Sequence, residues 1–206
     1  MKKVTIGVLA FHGDVIEHIQ AVEKAAERLN RSVNVIPLRE KEQVRILNGL
    51  IIPGGESTTL YKLCEREGMF EQMRKIPFIF GTCAGAIMLA KTIRHKAEGQ
   101  KTLERMDIEV DRNAYGRQTE SFEQDIVTVL GSLRAVFIRA PRINSVGKSV
   151  RVLAKNGSEI IACEESYGNH FNLAACFHPE LTSTFFHEYF LKKIFAENYT
   201  KQAPVL

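Results

Sequence analysis

Pro77-Phe78-Ile79-Phe80-Gly81-Thr82-Cys83-Ala84-Gly85-Ala86 is the stretch on which the reading of this chain turns. Ile76 to Phe80 is a continuous apolar run ending at Gly81, and Ala84 to Ile93 reads as a helix. The segment therefore has the form strand, G-x-C-x-G, helix, the spacing of a nucleophile elbow with Cys in place of Ser. So sharp a turn holds Cys83 in a strained conformation with its sulfur exposed, and Gly81 and Gly85 remove β-carbons that would collide there. The helix opening at Ala84 points its positive end at the sulfur, favouring thiolate over a thiol of ordinary pKa about 8.5. The N–H of Ala84 faces the place where an oxyanion would form. The bland alternative is a small buried hydrophobe in a tight turn.

The same alternation runs outward through the first half of the chain. Val4 to Leu9, Val33 to Leu38 and Gly49 to Ile52 read as strands. Val15 to Leu29 is an amphipathic helix, Arg39 to Leu47 a short helix, and a further helix starts near Ser57 or Thr58 and runs towards Met73. Continuous apolar strands alternating with helices predict a parallel sheet covered on both faces. In the second half, Ile108–Val110, Asp125–Val129, Ala135–Arg139, Val150–Ala154, Ile160–Cys163 and Leu173–Phe177 are short strands of more antiparallel character, and Ser183 to Glu197 is a final helix. The predicted fold class is α/β: a three-layer sandwich around a mostly parallel, flavodoxin-like sheet, with a more antiparallel C-terminal half. Residues 1–206 read as a single domain, without internal repeat or linker.

Composition narrows the function classes. Hydrophobic residues make up 45% and charged residues 25%, ordinary globular usage that excludes disorder. The longest apolar runs, Gly49 to Pro53 and Ile76 to Gly81, fall far short of a bilayer span. The N-terminal run is too short for a signal peptide and leads into Phe11-His12-Gly13-Asp14, so a cytoplasmic chain is expected. The net charge of +4 is spread over mixed signs, as in Glu23, Lys24, Glu27, Arg28 and Arg31, so neither nucleic acid nor membrane is expected as a partner. Cys64, Cys83, Cys163 and Cys176 form no C-x-x-C pair and are expected as free thiols.

A nucleophilic cysteine needs a base and a group to orient the base. Of the six histidines, His178 stands out in Phe177-His178-Pro179-Glu180-Leu181, after an apolar strand. Pro179 biases His178 towards extended backbone, where residues i and i+2 face one side, so Glu180 would lie beside the imidazole and fix its tautomer. The alternative is a surface histidine with a surface glutamate. His18 and His187 read as solvated or structural, His95 as a residue of a charged loop, His170 as part of a Gly-Asn turn, and His12 as a weakly signalled site residue. A second glycine-rich turn, Pro53-Gly54-Gly55-Glu56-Ser57-Thr58-Thr59, also joins a buried strand to a helix and could turn the Gly55 N–H into a shared cleft, with Ser57 or Thr58 capping the helix. Gly147-Lys148-Ser149 lacks the earlier glycine of a P-loop, and the histidines show no metal-ligand spacing.

Gly81 to Gly85 together with His178-Pro179-Glu180 resembles the class I (triad) glutamine amidotransferases. Pro53 to Thr59, Asp111 to Gln118, Ser121-Phe122-Glu123, Phe137 to Pro141 and Phe177 to Leu181 look like the glutaminase subunits of pyridoxal 5′-phosphate synthase, over nearly the whole chain. The resemblance implies hydrolysis of L-glutamine through a glutamyl thioester on Cys83. His178 would act as base, Glu180 as its orienter, and Gly55 and Ala84 as oxyanion donors. Gly55, Glu56, Ser57, Arg112, Ile138 and Arg139 would bind glutamine, with no cofactor or metal. Ammonia would pass to a synthase subunit that makes vitamin B6. Other readings are the glutaminase of imidazole glycerol phosphate synthase and a DJ-1-like cysteine-elbow protein. Two stretches depart from the resemblance: Phe11-His12-Gly13 stands where Leu-Gln-Gly is usual, and Glu165 to Asn172 is unlike the usual sequence.

Overall fold

The structure is a computed structural model describing residues 3–112 and 121–200. Its parallel half is built from β1 (Val4–Leu9), β2 (Val33–Leu38), β3 (Gly49–Ile52) and β4 (Phe78–Thr82). Further on come β5 (Ala90–Arg94), β6 (Met106–Asp111), β7 (Phe122–Thr128), β8 (Gly131–Phe137), β9 (Arg142–Val146), β10 (Val150–Asn156), β11 (Glu159–Tyr167) and β12 (His170–Ala175). The helices are α1 (Val15–Arg28), α2 (Ser57–Arg66), α3 (Phe70–Met73), α4 (Ala84–Leu89) and α5 (Phe185–Thr200), with a 3-10 turn at Lys41–Ile46 and another at Pro179–Leu181.

The strands form one sheet in the order β2-β1-β3-β4-β12-β11-β10-β7-β8, with β5, β6 and β9 paired off this path. β1 pairs in parallel with β2 and β3, and β4 with β3 and β12. From β11 onward the pairing along the main path is antiparallel. The β12–β4 register sets Ala175 against Thr82, so chemistry carried past the end of β12 arrives beside the turn that follows β4.

Burial on both faces explains why these strands read as unbroken apolar runs: all of β1, β3 and β4 is buried. Phe80 meets Phe186 and Phe190 of α5 on one face, whereas a β-carbon on Gly81 would meet the backbone of Gly85 in α4 on the other. Successive strand residues point to opposite faces, so α5, with α1 packed beside it, and α4 occupy different layers. The result is the expected α/β sandwich. No helix among the described residues is long and apolar enough to cross a membrane.

Several boundaries differ from the sequence reading. The predicted helix over Ala84 to Ile93 stops at Leu89, and Ala90–Arg94 is a strand pairing in parallel with β6. An apolar run without periodicity does not separate buried helix from buried strand, and the β-branched Thr92 and Ile93 favour the strand once a partner exists. The helix predicted from Ser57 towards Met73 breaks after Arg66, because Gly68 takes a left-handed φ of 66°. Arg142–Val146 was not foreseen as a strand, and it is held by β6 and β11 rather than by its own pattern.

Candidate functional site

The carboxyl ends of β1, β3, β4 and β12 bring four loops to one place, the usual position for a site on a parallel sheet. The turn after β4 carries Cys83 at φ 49° and ψ −107°, a left-handed conformation costly for any residue with a β-carbon. Its N–H donates to the Ala175 carbonyl at 2.8 Å, tying the turn to β12. The elbow expected from the glycine spacing is formed, and for the expected reason: a β-carbon on Gly85 would lie 2.0 Å from the Ile52 carbonyl oxygen. The sulfur is not exposed as expected, since Cys83 is only 5% accessible. The neighbouring loops close over it: a β-carbon on Gly54 would fall 3.3 Å from the Cys83 β-carbon, and the thiol donates to the Ile138 carbonyl at 3.6 Å.

His178 follows β12, with its N–H on the Val136 carbonyl of β8 at 2.9 Å. A β-carbon on Gly54 would meet its ring at 2.4 Å, so imidazole, glycine loop and Cys83 are packed together. His178 Nδ1 donates to Glu180 Oε1 at 2.8 Å, and both residues are buried. The juxtaposition was legible, but its backbone was not. His178 leaves the strand at ψ 82° and Pro179–Leu181 is a 3-10 turn, not an extended segment. Proline at the first helical position prefers this, its fixed φ suiting a helical turn.

Burial opposes charge on His178, yet the Cys83 sulfur and the Glu180 carboxylate outweigh it, and the imidazole pKa is raised to about 10. Burial would push the Glu180 carboxyl up, but the facing His18 and the hydrogen bond from His178 hold it well below the usual carboxylate range. The thiols of Cys64 and Cys163 are pushed up to about 12, mainly by burial. All four cysteines are free.

Behind Glu180 lies a network the sequence did not show. His18 Nε2 stands 3.3 Å from Glu180 Oε1 and 3.0 Å from Thr82 Oγ1, and His18 Nδ1 stands 3.0 Å from His187 Nε2. An ionised Glu180 assigns a proton to His18 Nε2. His18 and His187 are therefore fully buried and not solvated. Burial, and then His18, lower the His187 pKa to about 3, so its ring is neutral. Of the other histidines, His95 faces Asp111 at 3.0 Å and His170 opens β12 beside Arg105, whereas the His12 ring lies against Gly55.

Gly55, at φ 130°, leads into α2. Here Glu56, not Ser57 or Thr58, caps the helix, its carboxylate accepting the N–H groups of Thr58 and Thr59 at 3.0 and 2.7 Å. Burial would raise the Glu56 pKa, but the bonds from Thr59 and Thr58 lower it. Arg112 reaches across to Glu56 at 2.8 Å and to Thr58 Oγ1 at 3.0 Å. Ser57 is buried and accepts from Gln100 Nε2 at 3.0 Å, and Gln100 Oε1 in turn accepts from Arg112 at 3.2 Å. Gln100, almost fully buried, is a member of this network that no sequence pattern marked. Ile138 and Arg139 follow β8, and Arg139 takes a left-handed φ of 45°. Glu56, Ser57 and Arg112 are thus in one network, and Gly54, Cys83, His178 and the Ile138 carbonyl meet at the loop cluster, with Gly55 and Ala84 the chain neighbours of Gly54 and Cys83. Asn113 to Gln118, part of a stretch singled out in the sequence, lie outside the described residues.

A strained cysteine elbow with a histidine–glutamate pair at the carboxyl edge of an α/β sheet is the layout on which thiol-dependent acyl transfer is built. The chain belongs to the SNO glutamine amidotransferase family, whose model matches residues 8–196. It is 46% identical over 200 residues to the pyridoxal 5′-phosphate synthase subunit PdxT of Pyrococcus furiosus, covering 93% of this chain and 99% of that protein. It is 43% identical over 196 residues to the PdxT subunit of Thermococcus onnurineus, covering 91% and 98%. A crystal structure of a glutamine amidotransferase superimposes with a TM-score of 0.77 at 43% identity, covering 92% of this chain and 98% of that one.

Proposed function

We propose that this chain hydrolyses L-glutamine to L-glutamate and ammonia and hands the ammonia to a synthase subunit that makes pyridoxal 5′-phosphate. The observation that carries the reading is Cys83 at its elbow beside the 2.8 Å His178–Glu180 pair, in a chain similar to PdxT subunits over more than nine-tenths of its length. Cys83 Sγ passes its proton to His178 Nε2 and attacks the amide carbon. Charge then develops on the amide oxygen, and the N–H groups of Gly55 and Ala84 stabilise it. The C–N bond breaks as His178 returns the proton to the nitrogen, ammonia departs, and a glutamyl thioester remains. Water, losing its proton to His178, attacks the thioester carbon; the C–S bond breaks and glutamate and the Cys83 thiol are regenerated. Glu180 holds the imidazole and stabilises its charged form.

Glu56, Ser57, Arg112, Ile138 and Arg139 line the place for the rest of the glutamine, with arginine matched to the α-carboxylate and Glu56 to the α-ammonium. The reading needs no metal or cofactor, since nucleophile, base and oxyanion donors are side chains and peptide groups. It takes residues 1–206 to work as one cytoplasmic domain, with the continuous sheet in support. The test is ammonia release from glutamine by the chain mixed with a pentose- and triose-phosphate-condensing synthase subunit. Wild type is expected to turn over, and Cys83→Ala to bind glutamine and release no ammonia. Ammonia release by Cys83→Ala would overturn the assignment.

A further inference from the structure

Glu180 is not alone at the imidazole. Asp14 Oδ2 stands 2.9 Å from His178 Nδ1, against 2.8 Å for Glu180 Oε1. Asp14 comes from the loop between β1 and α1, far from the Pro179–Leu181 turn in sequence and brought to the same ring nitrogen by a close approach of loops. A β-carbon on Gly13 would lie 2.2 Å from the Gly54 carbonyl oxygen, so glycine at that position lets the 10–14 loop press against the 53–55 loop. Asp14 is also the N-cap residue of α1, yet its side chain makes no capping bond. Aspartate is among the best capping residues, so an aspartate that leaves its own helix uncapped and faces a buried imidazole has been placed by something other than helix stability.

The charges explain the arrangement. Nδ1 carries one proton, which goes to Glu180 in good hydrogen-bond geometry. Asp14 then acts through its charge. Its oxygen, the imidazole nitrogen and the Glu180 oxygen all lie within 4.8 Å of one another, a distance at which two carboxylates repel unless a cation stands between them. The imidazolium is that cation. The same spacing would suit a metal ion, but the Nδ1 lone pair it would need is occupied by the proton given to Glu180.

We propose that Asp14 is a positioning residue of this site: its carboxylate holds the His178 ring in the positively charged form that pairs with the Cys83 thiolate and then donates a proton to the departing ammonia. The inference deepens the glutaminase reading and rests on it for its catalytic consequence, but not for its electrostatic one. The groups facing His178 are Cys83 from the β4–α4 turn, Glu180 from its own turn and Asp14 from the β1–α1 loop, with His18 of α1 and His187 of α5 behind Glu180. Among them Asp14 is the one in partial contact with water, its side chain 34% exposed, so its effect is smaller than that of a buried charge.

The test reads the charge state of the ring directly, by nitrogen NMR of the histidine side chains in the full chain across pH. Asp14→Asn removes the charge and keeps the shape; Asp14→Ser removes it and supplies a capping hydroxyl to α1. Both are expected to lower the deprotonation midpoint of His178 by roughly half to one pH unit. In the assembled enzyme both limbs of the kcat/KM profile should move to lower pH, with kcat reduced more than KM is changed. An unaltered midpoint in both variants overturns the proposal, including the case in which melting temperature falls, since that would leave Asp14 a structural role alone. Failure of the glutaminase reading would instead appear as wild-type chain and synthase that release no ammonia.

Discussion

His18 Nε2 and Glu180 Oε1 lie 3.3 Å apart with neither side chain accessible to water. The Glu180 carboxylate is therefore held from two sides, by the His178 ring and by a histidine of α1. Among the described residues Glu180 Oε2 finds no hydrogen bond, so the loss of either partner of Oε1 leaves a buried charge poorly compensated.

Replacing His18 by leucine is expected to cost about 3 kcal/mol of stability, the usual scale for breaking one side of a buried ionic contact. Glutaminase kcat should fall at least roughly tenfold, as Glu180 loses its fixed position. Urea unfolding and steady-state ammonia release measure the two effects. A His18→Leu chain with unchanged kcat would show that Glu180 needs no support from α1.

His187 sets a pH dependence of known sign. Its pKa is lowered to about 3 in the folded chain against 6.5 ordinarily, so between these values the unfolded chain binds a proton the native one does not. Stability falls as pH drops through that window, and at about pH 5 the loss from this group reaches about 2 kcal/mol. His178 acts in the opposite window: its raised pKa contributes stability that is present below 6.5 and lost as pH rises towards about 10. Urea midpoints for wild type and His187→Gln at about pH 5 and about pH 7 separate the two. Equal acid sensitivity in both chains would remove His187 from the account.

Arg112 contacts Glu56 and Thr58 on one edge, and a guanidinium has further donors to offer an α-carboxylate. Arg112→Ala is expected to raise the KM for glutamine roughly tenfold or more, with kcat within a few-fold of wild type, and Arg112→Lys to recover little because a bidentate fork is lost. A variant with normal KM and lowered stability would confine Arg112 to bracing the start of α2.

The chemistry was legible wherever it depends on local backbone. The glycines around Cys83 mark a turn that only small residues permit, and Gly85 has a carbonyl oxygen 2.0 Å from where its β-carbon would be. The histidine and glutamate flanking Pro179 were legible for the same reason, being two residues apart. The helix predicted over Ala84 to Ile93 failed at its end because the fully buried run Ala84–Ala90 has no period to show where helix gives way to strand; the strand at Ala90–Arg94 exists because β6 lies beside it.

The sequence by itself determined the alternation of strand and helix, the strained elbow and the pairing of His178 with Glu180, because each follows from residue type and short spacing along its own piece of chain. Tertiary structure alone decided what surrounds them. His18 reaches Thr82 across 64 positions and His187 across 169, and Asp14 meets His178 from the opposite end of the chain. Such contacts carry no periodicity. They arise where parallel strands deliver the loops from separate segments to one sheet edge, and low-dielectric burial then couples charges that the linear sequence keeps apart.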